Sequence, residues 1–97
     1  YDPLAMPDAQ SYWFNPDKNH LFERISYYDS AAEAMAGSDA VYISTDWEEF
    51  RGVSSIIEAT VQPPYLIIDG RRMPPDYQRL VNNGYSYLPV GGTLLTP

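Results

Sequence analysis

Asp69-Gly70-Arg71-Arg72 is the stretch of this sequence best equipped for chemistry. Two of only six Lys and Arg residues stand side by side here, directly after the apolar run Leu66-Ile67-Ile68. A guanidinium is a planar fork of donors that matches phosphate oxygens in pairs and stays charged at any working pH. Gly70 allows a tight turn and close backbone approach to a ligand. Asp69 can orient an arginine or cap a nearby backbone N–H. One reading is therefore a phosphate or pyrophosphate clamp with Arg71 as principal residue and Asp69, Gly70 and Arg72 in support. The other is a surface salt bridge between Asp69 and the arginines, and local chemistry weighs the two about equally.

The remaining polar clusters are weaker. Thr45-Asp46-Trp47-Glu48 reads as a helix start, with a cap, acids in the first turn and an aromatic packing back on a sheet. His20, the only histidine, has no second ligand at metal spacing and reads as solvated. Asp2 stands where an acid could hold a dinucleotide ribose, but no Gly-x-Gly-x-x-Gly precedes it. Tyr85 and Tyr87 have strand spacing and read as sheet packing. No set of side chains forms a nucleophile–base constellation, so the segment is expected to hold part of a site and no catalytic or metal-ligating residue.

The elements that would position these residues alternate along the chain. Tyr1-Asp2-Pro3 reads as a strand end, residues 4–14 as weakly helical and 15–20 as a polar loop. Residues 24–28 alternate in a β-rich pattern and predict a short strand. Ser30 and Glu33 have capping-box spacing, and Gly37 is placed to end the helix that follows. Residues 40–44 and 65–69 read as strands buried on both faces. Between them, Thr45 and Glu48 repeat the capping-box pattern ahead of helical material reaching about Thr60, with a break near Gly52. Prolines then open a helix ending at Asn-Asn-Gly, residues 85–90 form a last strand, and 91–97 a loose tail. This rhythm predicts an α/β domain: a three-layer, Rossmann-like sandwich on a mostly parallel sheet. Ligands of such sheets sit beyond the strands' carboxyl ends, which is where Ser44–Trp47 and Asp69–Arg72 fall.

Ninety-seven residues with 44% hydrophobic content set the scale at one domain. A net charge of −7 argues against sequence-independent nucleic-acid binding and against docking on anionic membranes. An anionic ligand needs a local cationic pocket. The absence of cysteine excludes thiol chemistry within the segment and is compatible with a cytosolic setting. No apolar run is long enough to span a bilayer.

In their order and spacing, Tyr1–Met6 (YDPLAM), SDAVYISTDWEEFRGV and LIIDGRRMPPDYQRLVNNGYSYLPVG resemble the C-terminal domain of the UDP-glucose/GDP-mannose 6-dehydrogenase family. The likeness covers nearly the whole chain. Its most specific part is a strand, then Thr45-Asp46-Trp47-x-x-Phe50, then a strand ending Asp69-Gly70-Arg71. The resemblance implies a Rossmann-like domain that binds the UDP part of a sugar nucleotide within a homo-oligomeric, cytoplasmic enzyme. Its other domains would bind NAD, carry a cysteine nucleophile and oxidise the sugar C6 alcohol to a carboxylate. It implies that Arg71 contacts the UDP-sugar near its phosphates, that Trp47 and Phe50 are mainly structural, and that Arg72 is a family feature with no assigned ligand atom. Two departures matter. The family's strand and helix ahead of YDP, with a ligand-reaching Phe-Lys pair, are missing. Pro89-Val90-Gly91-Gly92 also stands where relatives end Ser-Ile-Gly-Arg, losing a basic contact. The segment alone is expected to bind no NAD and to be inactive. The alternative is a non-catalytic α/β interaction or receiver-like module with Asp69 at a strand end. The receiver version lacks a suitably placed lysine, since Lys18 lies in an early loop.

Overall fold

The computed structural model describes residues 1–72 and 74–97, which fall into two units, Tyr1–Ala34 and Met35–Pro97. In the first unit, α1 (Met6–Asp8) runs into a π-helical turn at Ala9–Trp13, and a 3₁₀ turn spans His20–Arg24. Side chains start these turns. Asp2 Oδ1 accepts from the N–H groups of Leu4 and Ala5, each at 2.8 Å. Asn19 Oδ1 accepts from the Leu21 N–H at 2.9 Å. Short polar side chains compete for backbone donors in this way and fix turns rather than strands. Asp2 is thus a local cap, and Tyr1-Asp2 is not in a strand. The strand predicted at 24–28 is also not formed: Arg24 closes the 3₁₀ turn and 25–28 are irregular. Alternation sets which way side chains point, but a strand also needs a partner for its backbone groups.

Helix α2 (Ala31–Met35) begins as its sequence dictates, with Ser30 Oγ accepting from the Glu33 N–H at 3.1 Å. It stops at Gly37, whose φ of +75° is a left-handed conformation that costs glycine little.

The second unit is built on a three-stranded sheet of β1 (Ala40–Ile43), β2 (Leu66–Asp69) and β3 (Ser86–Pro89). The order is β1-β2-β3 and both pairings are parallel, with Ile43 opposite Asp69 and Asp69 opposite Pro89. Helix α3 (Val53–Thr60) lies between β1 and β2, and α4 (Tyr77–Asn82) between β2 and β3. This is the α/β class with a parallel sheet that the strand–helix alternation predicts. On α3 the buried Val53, Ser54 and Ile57 form one stripe at i, i+1 and i+4. Ile57, Ile67 and Leu80 have 0% exposure and centre the core, flanked by Val53, Tyr65, Tyr85 and Tyr87. Polar contacts tie the helices: Ser54 Oγ donates to Asp76 Oδ1 at 2.6 Å, and Arg79 pairs with both Glu58 (2.7 Å) and Asp76 (3.0 Å).

Three expectations need correction here. Strand β1 is not buried on both faces: among the described residues it pairs with β2 alone, Ala40 and Tyr42 are exposed, and Tyr42 is 64% exposed. An apolar strand sequence does not reveal whether a partner covers it. The helical material after Thr45 starts at Glu48 as a 3₁₀ turn, because Trp47 is extended (φ −60°, ψ 140°) and its side chain makes no cap. The change to α-helix falls at Gly52–Val53, as the predicted break requires. Finally, the tail is pinned. Tyr87 N–H donates to Leu95 O at 2.9 Å and Leu95 N–H returns to Tyr87 O at 2.8 Å.

Candidate functional site

Where β2 ends, Asp69 points into the core with 0% exposure. A buried carboxylate is costly unless hydrogen bonds satisfy it. Tyr87 Oη donates to Asp69 Oδ2 at 2.6 Å, and the Arg71 backbone N–H donates to Oδ1 at 3.0 Å. Burial first, then the hydrogen bond to Asp69 and that acid's charge, push the Tyr87 phenol above the usual tyrosine range. The phenol therefore stays protonated and serves as a donor. Asp69 does what the sequence allows: it caps the N–H two residues on and so fixes the start of the loop.

Gly70 follows, and space is what this position demands. A Cβ there would stand 2.8 Å from Ile43 O, 3.1 Å from Tyr42 Cε1 and 3.2 Å from Tyr42 Oη. The Gly70 N–H donates to Ile43 O at 2.9 Å, while the Val90 N–H donates to Asp69 O at 2.9 Å. The loop after β2 is thereby bound to the carboxyl ends of both neighbouring strands.

The adjacent arginines diverge. Arg71 Nε donates to Ser44 O beyond β1, at 3.3 Å. Arg72 Nη2 donates to Val90 O beyond β3, at 2.9 Å. Arg72 holds a left-handed φ of 53°, uncommon for a side chain of its size. Such strain persists only where surrounding contacts enforce it. Asp69 accepts from Tyr87 and from the Arg71 backbone N–H, while each guanidinium donates to a backbone carbonyl oxygen. Arg72 is a strut that braces the loop against β3 and lines a cavity of about 290 Å³ with Pro74, Tyr77, Tyr87 and Pro89. Arg71 is exposed, and among the described residues its two Nη groups have no protein acceptor. It is held at Nε and at its backbone while its fork is open, which suits it to an anion.

The other candidates lie elsewhere in function. Phe50 is buried and Trp47 is partly exposed at 36%, which fits a mainly structural role for Phe50. His20 begins the 3₁₀ turn, and among the described residues no cluster of three His, Cys, Asp or Glu could hold a metal. Among them, too, no helix is long and apolar enough to cross a membrane. Tyr85 does pack in the core, its hydroxyl donating to Val61 O at 2.6 Å. Tyr87 does more than pack, since it holds the acid under the Arg71 loop. That role is hidden in the sequence because its partner lies 18 residues away. The same geometry speaks against a receiver module, whose acid must be reachable by a phosphoryl group.

An open parallel sheet whose strands are joined by helices places the protein among the Rossmann-like α/β domains. Beyond that class, the sequence model of the UDP-glucose/GDP-mannose dehydrogenase family, UDP binding domain, matches residues 1–75, and the chain belongs to this family. It is 36% identical over 86 residues to UDP-glucose 6-dehydrogenase AglM of Haloferax volcanii, covering 84% of this chain and 17% of that protein. It is 32% identical to UDP-glucose 6-dehydrogenase TuaD of Bacillus subtilis, covering 94% and 18%. With UDP-glucose 6-dehydrogenase YwqF of the same organism it shares 31% identity, covering 100% and 20%. The chain thus spans about a fifth of the length of these curated relatives. No solved structure matches it.

Proposed function

We propose that the chain is the sugar-nucleotide-binding part of an NAD-dependent UDP-glucose 6-dehydrogenase-type enzyme that oxidises the sugar C6 alcohol to a carboxylate. The observation that carries this is the open Arg71 fork, braced through Nε and anchored on the buried Asp69 at the carboxyl end of a parallel sheet. A fixed guanidinium binds a diphosphate more strongly than a mobile one because little rotamer freedom is lost on binding. Arg71 is the contact; Asp69, Gly70 and Arg72 position it. NAD, as hydride acceptor, would be held outside this segment, whose sequence has no Gly-x-Gly-x-x-Gly turn to cradle it. On this reading the partners are a UDP-sugar in the cytoplasm and the remaining domains of a homo-oligomeric enzyme. Titrating UDP-glucose into the intact enzyme carrying Arg71→Ala should weaken binding by about 1.5 to 3 kcal/mol, the scale of a charge-assisted hydrogen bond. Unchanged affinity would remove Arg71 from the site and favour a non-catalytic interaction module.

A further inference from the structure

Tyr42 lies beside the same loop and nothing so far accounts for it. It is the third residue of β1, opposite Ile68 of β2. A lone exposed aromatic on a strand is ordinary, so its 64% exposure carries no weight alone. Its position does. The ring lies across Gly70, with Cε1 and Oη 3.1 and 3.2 Å from where a side chain would begin. The glycine leaves room for the phenol to extend towards the carboxyl end of the sheet. There Arg71, the residue after Gly70, donates through Nε to Ser44 O, two residues on from Tyr42. The Tyr42 hydroxyl has no hydrogen-bond partner among the described residues, like the Arg71 Nη groups.

We infer that Tyr42 is a second ligand contact beside Arg71, its hydroxyl donating to a phosphate oxygen of the nucleoside diphosphate that Arg71 holds. The inference rests on the reading of Arg71 given above. Chemically the pair is complementary. The fork supplies charge and two parallel donors, and the phenol adds a neutral donor from a different direction. It comes from a side chain with few rotatable bonds, so little entropy is lost. The Gly70–Ile43 hydrogen bond joins β1 to the loop after β2, so the backbones that carry the two donors are held together.

The test is calorimetric titration of UDP and of uridine into the intact enzyme as wild type, Tyr42→Phe and Arg71→Ala. Tyr42→Phe should weaken UDP about tenfold, the loss of one hydrogen bond to an anion. It should leave uridine and the melting temperature unchanged. If Tyr42→Phe binds UDP as wild type does while Arg71→Ala loses affinity, the inference falls and the reading of Arg71 stands. If Tyr42→Phe weakens UDP and uridine alike, its role is not at the phosphates and the inference falls. If Arg71→Ala binds UDP normally, the shared anion site does not exist and both fall.

Discussion

Adding a single methyl group at Gly70 tests the geometry of the site without touching a charge. The φ of Gly70 lies outside the left-handed region, so alanine is not excluded by backbone conformation, and the cost comes from space alone. Its Cβ would lie 2.8 Å from the Ile43 carbonyl oxygen, about half an ångström inside normal contact. That oxygen also accepts the Gly70 N–H at 2.9 Å. The loop cannot retreat without lengthening this bond and the Asp69–Arg71 cap one residue on. Overpacking of this kind costs about 1 to 3 kcal/mol, and a weakened hydrogen bond adds about 1 kcal/mol. In a chain of this size about 1 kcal/mol moves Tm by roughly 4 to 8 °C, so Gly70→Ala should lower Tm by about 10 °C or more. Thermal unfolding of the purified chain followed by circular dichroism reads this directly, and urea titration gives the free energy. A Tm within about 2 °C of wild type would refute the close approach of β1 and the loop after β2.

Tyr87→Phe removes one donor from the buried Asp69 and should cost about 1 to 3 kcal/mol by urea titration. The raised phenol pKa sets the pH dependence. Its stabilising contribution is intact below the unfolded tyrosine value of about 10 and is lost as pH climbs towards the folded value. Wild type should therefore lose stability above about pH 10, and Tyr87→Phe should lose it less steeply there. Tyr85, raised by burial and then by Glu58, keeps part of the slope in both. Ser54→Ala breaks the buried end of the link to Asp76 and should destabilise the chain by about 1 kcal/mol. Arg79→Ala, which removes exposed ion pairs with Glu58 and Asp76, should cost about 1 kcal/mol or less, and added salt should shrink the difference.

What could be read from residues alone was what depends on neighbours in the chain. Ser30 capping Glu33, Gly37 ending α2, the continuous apolar runs of β1 and β2, and the cation at a strand's carboxyl end are all local patterns. What escaped depends on distant partners. Residues 24–28 alternate like a strand but form none, and the edge position of β1 is set by what pairs with it rather than by its own residues. Leu95 returns to Tyr87 through backbone groups that every sequence has. Thr45 and Glu48 have capping-box spacing, yet an extended Trp47 moves the start of the turn to Glu48. The arginine pair was legible as candidate anion chemistry but not as geometry. Nothing in Arg71-Arg72 says that one guanidinium reaches towards β1 while the other donates to Val90 O beyond β3.

The buried Asp69 joins two things usually kept apart in a protein. One oxygen is held by the hydrophobic interior through Tyr87, and the other secures the segment that carries Arg71. With Arg71 as the proposed anion contact, recognition and melting share a hinge-pin. Heat, alkali or a cavity that loosens the interior should slacken the grip on a ligand before the chain is visibly unfolded. A bound anion should in turn protect the sheet, by an amount that grows with its concentration over Kd.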